Sequence, residues 1–180
     1  MELWDAYDSG LKIIEGMTLV RGEEKSIPAG VYHLVCNILV RHTDGTYLLM
    51  KRDPRKSYAG MWEATAGGSA LKGESPSECA MRELREETGL TPPELIEMER
   101  TVSDEGHCIH CFFLCLTDCD KDSVRLQDGE TCDYKWAERE EILAMSDEEL
   151  LGKRERELLR NDPELAAVLR PAAVSRELTG

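Results

Sequence analysis

The first seventy positions alternate between short β-prone runs and turn residues. Residues 3–20 carry apolar side chains in alternating pieces broken by Asp8-Ser9-Gly10 and by Glu15-Gly16, which predicts a hairpin. Residues 31–40 (VYHLVCNILV) form a nearly continuous apolar run. After the turn His42-Thr43-Asp44-Gly45, residues 47–50 form a second run, and the two are expected to pair as a buried hairpin. A loop with Pro54, Ser57 and Gly60 leads into residues 61–66, which end at Gly67-Gly68. A strong helix is predicted over 76–88, with strands over 95–102, 109–116 and 134–136. From Glu138 the pattern turns helical and highly charged. Leucines at helical spacing predict that 146–160 packs as the last helix of the domain, and a further apolar-spaced stretch covers 163–169 before a polar tail. Strands interleaved with one strong helix imply an α/β fold, a mixed sheet covered by helices. The expected organisation is an N-terminal β extension over 1–30, one domain over 31–160, and a helix and tail over 161–180.

Composition narrows the function. With 22 Lys plus Arg against 36 Asp plus Glu, the formal charge is −14, a poor basis for gripping a phosphate backbone, so no nucleic-acid polymer is expected as partner. No segment approaches the ~20 apolar residues that span a bilayer, and the first residues lack a basic region followed by an apolar run. A cytoplasmic protein with no membrane association is expected. Seven scattered cysteines, an odd number, suit free thiols in a reducing compartment.

The helix over 76–88 carries the candidate chemistry. Ser75 can cap it, Pro76 suits its first position, Glu78 completes a capping box, and Gly89 supplies a left-handed stop. At 100° per residue Ser77, Ala80, Met81, Leu84 and Thr88 share one face, while Glu83, Glu86 and Glu87 fall on a neighbouring arc. Like charges three and four residues apart repel by a few tenths of a kcal/mol per pair (~0.2–0.5). A hard divalent cation reverses the sign of that arrangement. The alternative is a solvated face on which Arg82 bridges Glu78 and Glu86. Just upstream, Gly67-Gly68 ends a strand where backbone can approach a ligand closely.

Read together, residues 68–90 spell G-x5-E-x7-R-E-L-x-E-E-x-G-L through Gly68, Glu74, Arg82, Glu83, Leu84, Glu86, Glu87, Gly89 and Leu90. This resembles the signature of the Nudix hydrolase family at every fixed position. The resemblance implies an α/β/α sandwich around a mixed sheet and hydrolysis of a diphosphate linkage in a nucleoside diphosphate derivative or related pyrophosphate. It also implies a need for Mg²⁺ or Mn²⁺. By that similarity Glu83, Glu86 and Glu87 are metal ligands, with Glu86 and Glu87 central to catalysis. The Gly68 carbonyl completes the coordination, Glu74 supports the site, and Arg82 holds the carboxylates in place. Gly67, Gly68 and Arg52 are placed at the substrate. For Arg52, at the end of LLMKR, a plain strand-end surface role stands beside the phosphate-binding one. The general base implied by the resemblance is Glu130, which precedes Trp136 at a suitable spacing, with Glu105 as the other candidate.

Other features carry less. His107-Cys108-Ile109-His110-Cys111 with Cys115 and Cys119 invites a zinc reading, but alternation along a strand sends 107, 109, 111, 113 and 115 to one face and 108 and 110 to the other. Buried free cysteines are expected instead, and His33 is read as a satisfied core histidine. Trp62 can stack on a ligand ring or pack in the core. The opening WDAYD at 4–8 and the YHLV at 32–35 resemble the isopentenyl-diphosphate isomerase side of the family. Its members usually carry a cysteine in the strand where this chain has Ala64-Thr65-Ala66-Gly67-Gly68, and their box is degenerate, so hydrolysis is preferred. A nucleotide sensor that does not cleave is the third possibility, although such modules lose box glutamates. The expected partner is a small-molecule diphosphate, and an extension such as residues 1–30, outside the family core, can form either a homodimer interface or a lid over substrate.

Overall fold

The computed structural model describes residues 1–160. Its strands are β1 (Leu3–Tyr7), β2 (Ile13–Val20), β3 (His33–His42), β4 (Tyr47–Arg52), β5 (Trp62–Glu63), β6 (Thr65–Ser69), β7 (Ile96–Ser103), β8 (Cys108–Thr117), β9 (Thr131–Ala137) and β10 (Leu150–Leu151). The helices are α1 (Pro76–Thr88), α2 (Arg139–Ala144) and α3 (Lys153–Arg160). The stretch 163–169 lies outside the described residues.

Two long apolar runs set the centre of the sheet. β3 and β8 run parallel and in register from His33↔Cys108 to His42↔Thr117, and β7 adds antiparallel to β8. Alternation sorts their side chains by face. Leu34, Cys36, Ile38 and Val40 pack with Ile109, Cys111, Phe113 and Cys115 beneath Cys79, Ala80 and Leu84 of α1. Leu39 and Leu114 face the other way, against Leu49, Ile142 and Leu159 under α2 and α3. The sheet is thus covered on both faces, which is why both strands read as continuous hydrophobic runs. The architecture is an α/β/α sandwich.

The expected buried hairpin of β3 with β4 forms only at its turn, where Arg41 pairs Tyr47. Beyond that the strands part, because the chain over 62–69 inserts between them. β6 pairs β3 from Val35↔Ser69 to Leu39↔Thr65, and β5 pairs β4. The other edge of β4 takes β9. The wedge carries Gly67 and Gly68 into the middle of the molecule.

The N-terminal hairpin is present, with its turn at 8–12, where the Asp8 carboxylate accepts from the backbone of Gly10 and Lys12. Gly16 is not a turn; at φ +77° it lies within β2, where the register slips between Asp5 and Tyr7. Residues 146–160 are likewise not one helix. Gly152, at φ +95°, ends β10, which runs parallel to β5, and α3 starts only after it.

Candidate active site

The cap of α1 forms as the sequence requires: Ser75 Oγ accepts from Glu78 N, the Glu78 carboxylate accepts from Ser75 N, and Gly89 closes the helix at φ +74°. The buried face differs from the simple wheel. Cys79, Ala80, Leu84 and Thr88 are buried, while Ser77 is exposed and Met81 only half-buried. The packed side is rotated toward 79, 83 and 87, so Glu83 and Glu87 are half-buried between the helix and the sheet while Glu86 stays exposed.

Gly68 sits directly beneath Glu83. A Cβ at that position would come within 2.5 Å of Glu83 Oε1, and the Gly68 carbonyl accepts from Cys79 Sγ at 3.6 Å. At Gly67 a Cβ would fall 2.0 Å from the Cys36 carbonyl oxygen, and the Gly67 N–H donates to Glu87 Oε2 at 3.1 Å. Both glycines are therefore required by close approach, one to a neighbouring strand and one to a carboxylate.

Arg82 organises the acidic residues. Its guanidinium forks onto Glu74, Nε to Oε1 at 2.7 Å and Nη2 to Oε2 at 2.9 Å, and its Nη1 donates to Glu83 at 2.7 Å and Glu86 at 3.4 Å. Nη2 also donates to the Ser69 carbonyl. The bridge from Arg82 to Glu78 considered above does not form, because the Glu78 carboxylate is engaged with Ser75. Glu74 accepts in addition from Leu71 N, which fixes the loop ahead of the helix.

Glu83, Glu86, Glu87 and Glu130 line one cleft of about 350 Å³ together with Gly67, Gly68 and Arg82. An inner niche of about 120 Å³ shares Lys56, Gly67, Glu87 and Glu130 with the cleft and adds Arg52, Glu63, Thr65 and Thr131. Arg52 is thus at the site rather than on the surface, paired with Glu63 and donating from Nε to the Ser57 carbonyl. Glu130 pairs with Lys56, whereas Glu105 lies in the exposed turn between β7 and β8. Lys56 and Glu63 were not anticipated: a lysine in a polar loop and a glutamate beside a tryptophan carry no periodic signal. The N-terminal extension also reaches the cleft, through Glu2 and Arg21.

Burial shifts three carboxylates of the site, two on the helix and Glu63 in the niche, where Arg52 opposes the rise. Burial raises Glu87 to about 8, against the Gly67 N–H, with Glu83, Glu63 and Glu130 adding like charge. Burial also raises Glu83, opposed by Arg82. Among the described residues, no three His, Cys, Asp or Glu side chains converge as a ready-made metal cage. Glu83 and Glu86 are turned to Arg82 and Glu87 to Gly67. The donor set nevertheless fits a hard divalent cation: three carboxylates and a backbone carbonyl lining one cleft, the most buried of them, Glu87, without a cationic partner among the described residues.

The remaining expectations divide. Cys36, Cys79, Cys108, Cys111 and Cys115 are buried free thiols, as expected; Cys119 is half-buried and Cys132 exposed. His110 is engaged at both nitrogens, with Asn37 and Cys108. His33 is buried, but it is not satisfied: its Nδ1 has no hydrogen-bond partner among the described residues, and its ring stacks on Trp4 at 4.1 Å. Trp62 packs with the α2/α3 face of the core, under the ammonium groups of Lys51 and Lys135.

A sequence model of the NUDIX domain matches residues 31–161. The chain belongs to the Nudix family. It is 30% identical over 152 residues to an uncharacterized Nudix hydrolase of Listeria monocytogenes, covering 81% of this chain and 85% of that protein. Among solved structures it resembles DR0079 of Deinococcus radiodurans, with a TM-score of 0.69 at 20% identity over 89% of this chain and 98% of the other. A MutT protein of Methanosarcina mazei aligns with a TM-score of 0.59 at 29% identity, over 74% and 95% respectively. Nudix hydrolases cleave pyrophosphate linkages and generally use divalent metal ions. No helix among the described residues is long and apolar enough to cross a membrane.

Proposed function

We propose that this protein is a Mg²⁺- or Mn²⁺-dependent pyrophosphohydrolase acting on a nucleoside diphosphate derivative or a related small pyrophosphate. The observation that carries the reading is the shared wall of Glu83, Glu86, Glu87 and the Gly68 strand end, organised by one arginine. On this reading Glu83, Glu86, Glu87 and the Gly68 carbonyl hold the metal. When bound, the metal supplies charge neutralisation at the diphosphate oxygens and an acidified water.

The chain's own residues perform the rest. Arg82 holds Glu83 and Glu86 against their mutual repulsion and ties both to Glu74, so the ligands are oriented before substrate arrives. The Gly67 N–H orients Glu87. Glu130, which lines the same cleft, takes the proton of the attacking water, with Lys56 fixing its position. Arg52, held against Glu63, presents positive charge to a phosphate entering the inner niche, and the uncluttered backbone of Gly67 and Gly68 lets the diphosphate lie close to the sheet.

The test is product analysis over a panel of nucleoside diphosphate derivatives and isoprenoid diphosphates, with Mg²⁺, with Mn²⁺ and with chelator. Metal-dependent cleavage of one class, abolished by Glu86→Gln, is the expected result. Silence over the whole panel, with ligand binding retained, would overturn the hydrolase reading in favour of a sensor or an isomerase.

A further inference from the structure

The cations that line the cleft are not equivalent. Arg82 is spent on three carboxylates and a carbonyl, and Lys56 is paired with Glu130. Arg21 comes from outside the signature, at the end of β2, and its partner in the structure is Glu2, Nη1 to Oε2 at 2.6 Å. Both side chains of that pair are about half exposed, 57% and 45%, so the pair is screened and replaceable. The charges of Glu130 and Glu83 also act on Arg21 across the cleft, after its hydrogen bond to Glu2.

The backbone that carries Arg21 is nonetheless anchored. The N-terminal hairpin has its own small core of Trp4, Ala6, Leu19, Ile27 and Val31. It is fastened to the loop between Gly68 and α1 at three points: Lys72 N to the Leu3 carbonyl at 2.7 Å, Lys72 Nζ to Thr18 Oγ1 at 2.6 Å, and Gly73 N to Asp5 Oδ2 at 2.7 Å. Backbone pairing of Arg21 N with the Glu2 carbonyl closes the end of the hairpin at the cleft. A guanidinium at an anchored strand end thus shares the cleft with the carboxylates, and its hydrogen-bonded anion among the described residues is Glu2, internal and displaceable.

We infer that Arg21 is a specificity-determining residue: it receives an anionic group lying beyond the diphosphate that occupies the carboxylate wall, and Glu2 is the internal anion this group displaces. The inference rests on the pyrophosphohydrolase reading and narrows its substrate class to compounds that carry charge past the scissile diphosphate, such as a third phosphate. Arg suits the role because its planar fork recognises phosphate through two hydrogen bonds. Glu2 gives the site selectivity, since a neutral group at this position would leave the pair intact and gain nothing from Arg21.

The probe pair is inorganic pyrophosphate and inorganic tripolyphosphate, with binding to the full chain measured by calorimetry at fixed free Mg²⁺. The wild type is expected to favour tripolyphosphate. Arg21→Ala should reduce that preference at least tenfold while leaving pyrophosphate affinity within about twofold, Arg21→Lys should recover part of it, and Glu2→Gln should enlarge it. Opposite effects of the two partners distinguish recognition from a structural ion pair, whose loss from either side would act alike. Equal preference in the wild type and Arg21→Ala, or parallel losses in Arg21→Ala and Glu2→Gln, would overturn the inference. The readout is binding, so absence of turnover on every substrate would sink the hydrolase reading without hiding the result for Arg21.

Discussion

The carboxylate of Glu83 lies on the α-carbon of Gly68, where an added Cβ would meet Oε1 at 2.5 Å and Oε2 at 2.8 Å. The atom displaced is the end of a side chain, so Gly68→Ala is expected to move Glu83 rather than the sheet. Turnover should fall by about 100-fold, or ~2.7 kcal/mol in barrier, with a melting temperature within a few degrees of wild type. Gly67→Ala should behave in the opposite sense, because its Cβ would meet the Cys36 backbone oxygen at 2.0 Å. There the pairing of β6 with β3 must open, and the melting temperature should drop sharply. Parallel thermal melts and turnover on the two variants check the contrast.

Arg82 is the cation common to Glu74, Glu83 and Glu86. Removing one partner of a largely buried charge set leaves the others uncompensated, so Arg82→Ala should cost about 3 kcal/mol of stability as well as activity. Arg82→Lys keeps the charge but loses the fork onto Glu74 and the simultaneous hydrogen bonds to Glu83 and the Ser69 carbonyl. It should recover less than half of the stability. Denaturant titration of the three proteins tests this; full rescue by lysine would reduce Arg82 to a point charge.

Much of this was legible in the sequence because its causes are local. Caps, a left-handed glycine and a carboxylate arc are statements about residues three or four apart, and α1 formed with all of them. β3 and β8 were legible as strands because burial on both faces leaves an unbroken apolar run. Their partners were not: Arg41 and Tyr47 pair at the turn, and nothing in either run signals that residues 62–69 will wedge between them. Gly152 illustrates another limit, since the leucines around it keep helical spacing while its φ of +95° ends a strand. Lys56, Glu63 and Arg21 enter the site from separate loops and strands, and a single charged residue in an acidic chain has no pattern to distinguish it.

Glu87 makes the metal-free protein sensitive to pH. A carboxyl raised from an ordinary 4.5 to about 8 binds its proton more tightly in the folded chain than in the unfolded one. Its destabilisation is absent below about pH 4.5, grows as pH rises, and is complete above about pH 8, on the order of a few kcal/mol. In chelator, the wild-type melting temperature should therefore fall between pH 5 and pH 8. Glu87→Gln should flatten that fall and be the more stable protein at pH 8, while losing activity. A divalent cation should raise the wild-type melting temperature more at pH 8 than at pH 6, because at the lower pH it must first displace the proton. A pH-independent metal effect would count against Glu87 as a ligand.

The contact between Asp5 and Gly73 couples the extension to the candidate metal site. Asp5 Oδ2 accepts from Gly73 N at 2.7 Å, and the next residue, Glu74, anchors Arg82 through both carboxylate oxygens. Asp5→Ala leaves the Gly73 N–H to solvent and frees the loop ahead of the helix cap at Ser75. A hydrogen bond to a charged acceptor contributes about 1.5–3 kcal/mol, which is small beside global unfolding but large for one loop. The variant is expected to stay folded, to exchange the amides of Lys72 and Gly73 at least tenfold faster, and to lose metal affinity before it loses fold. Hydrogen exchange by NMR with a parallel Mn²⁺ titration reads both. Fast exchange at Lys72 and Gly73 with unchanged Mn²⁺ affinity would show that the extension braces the loop without positioning the carboxylates.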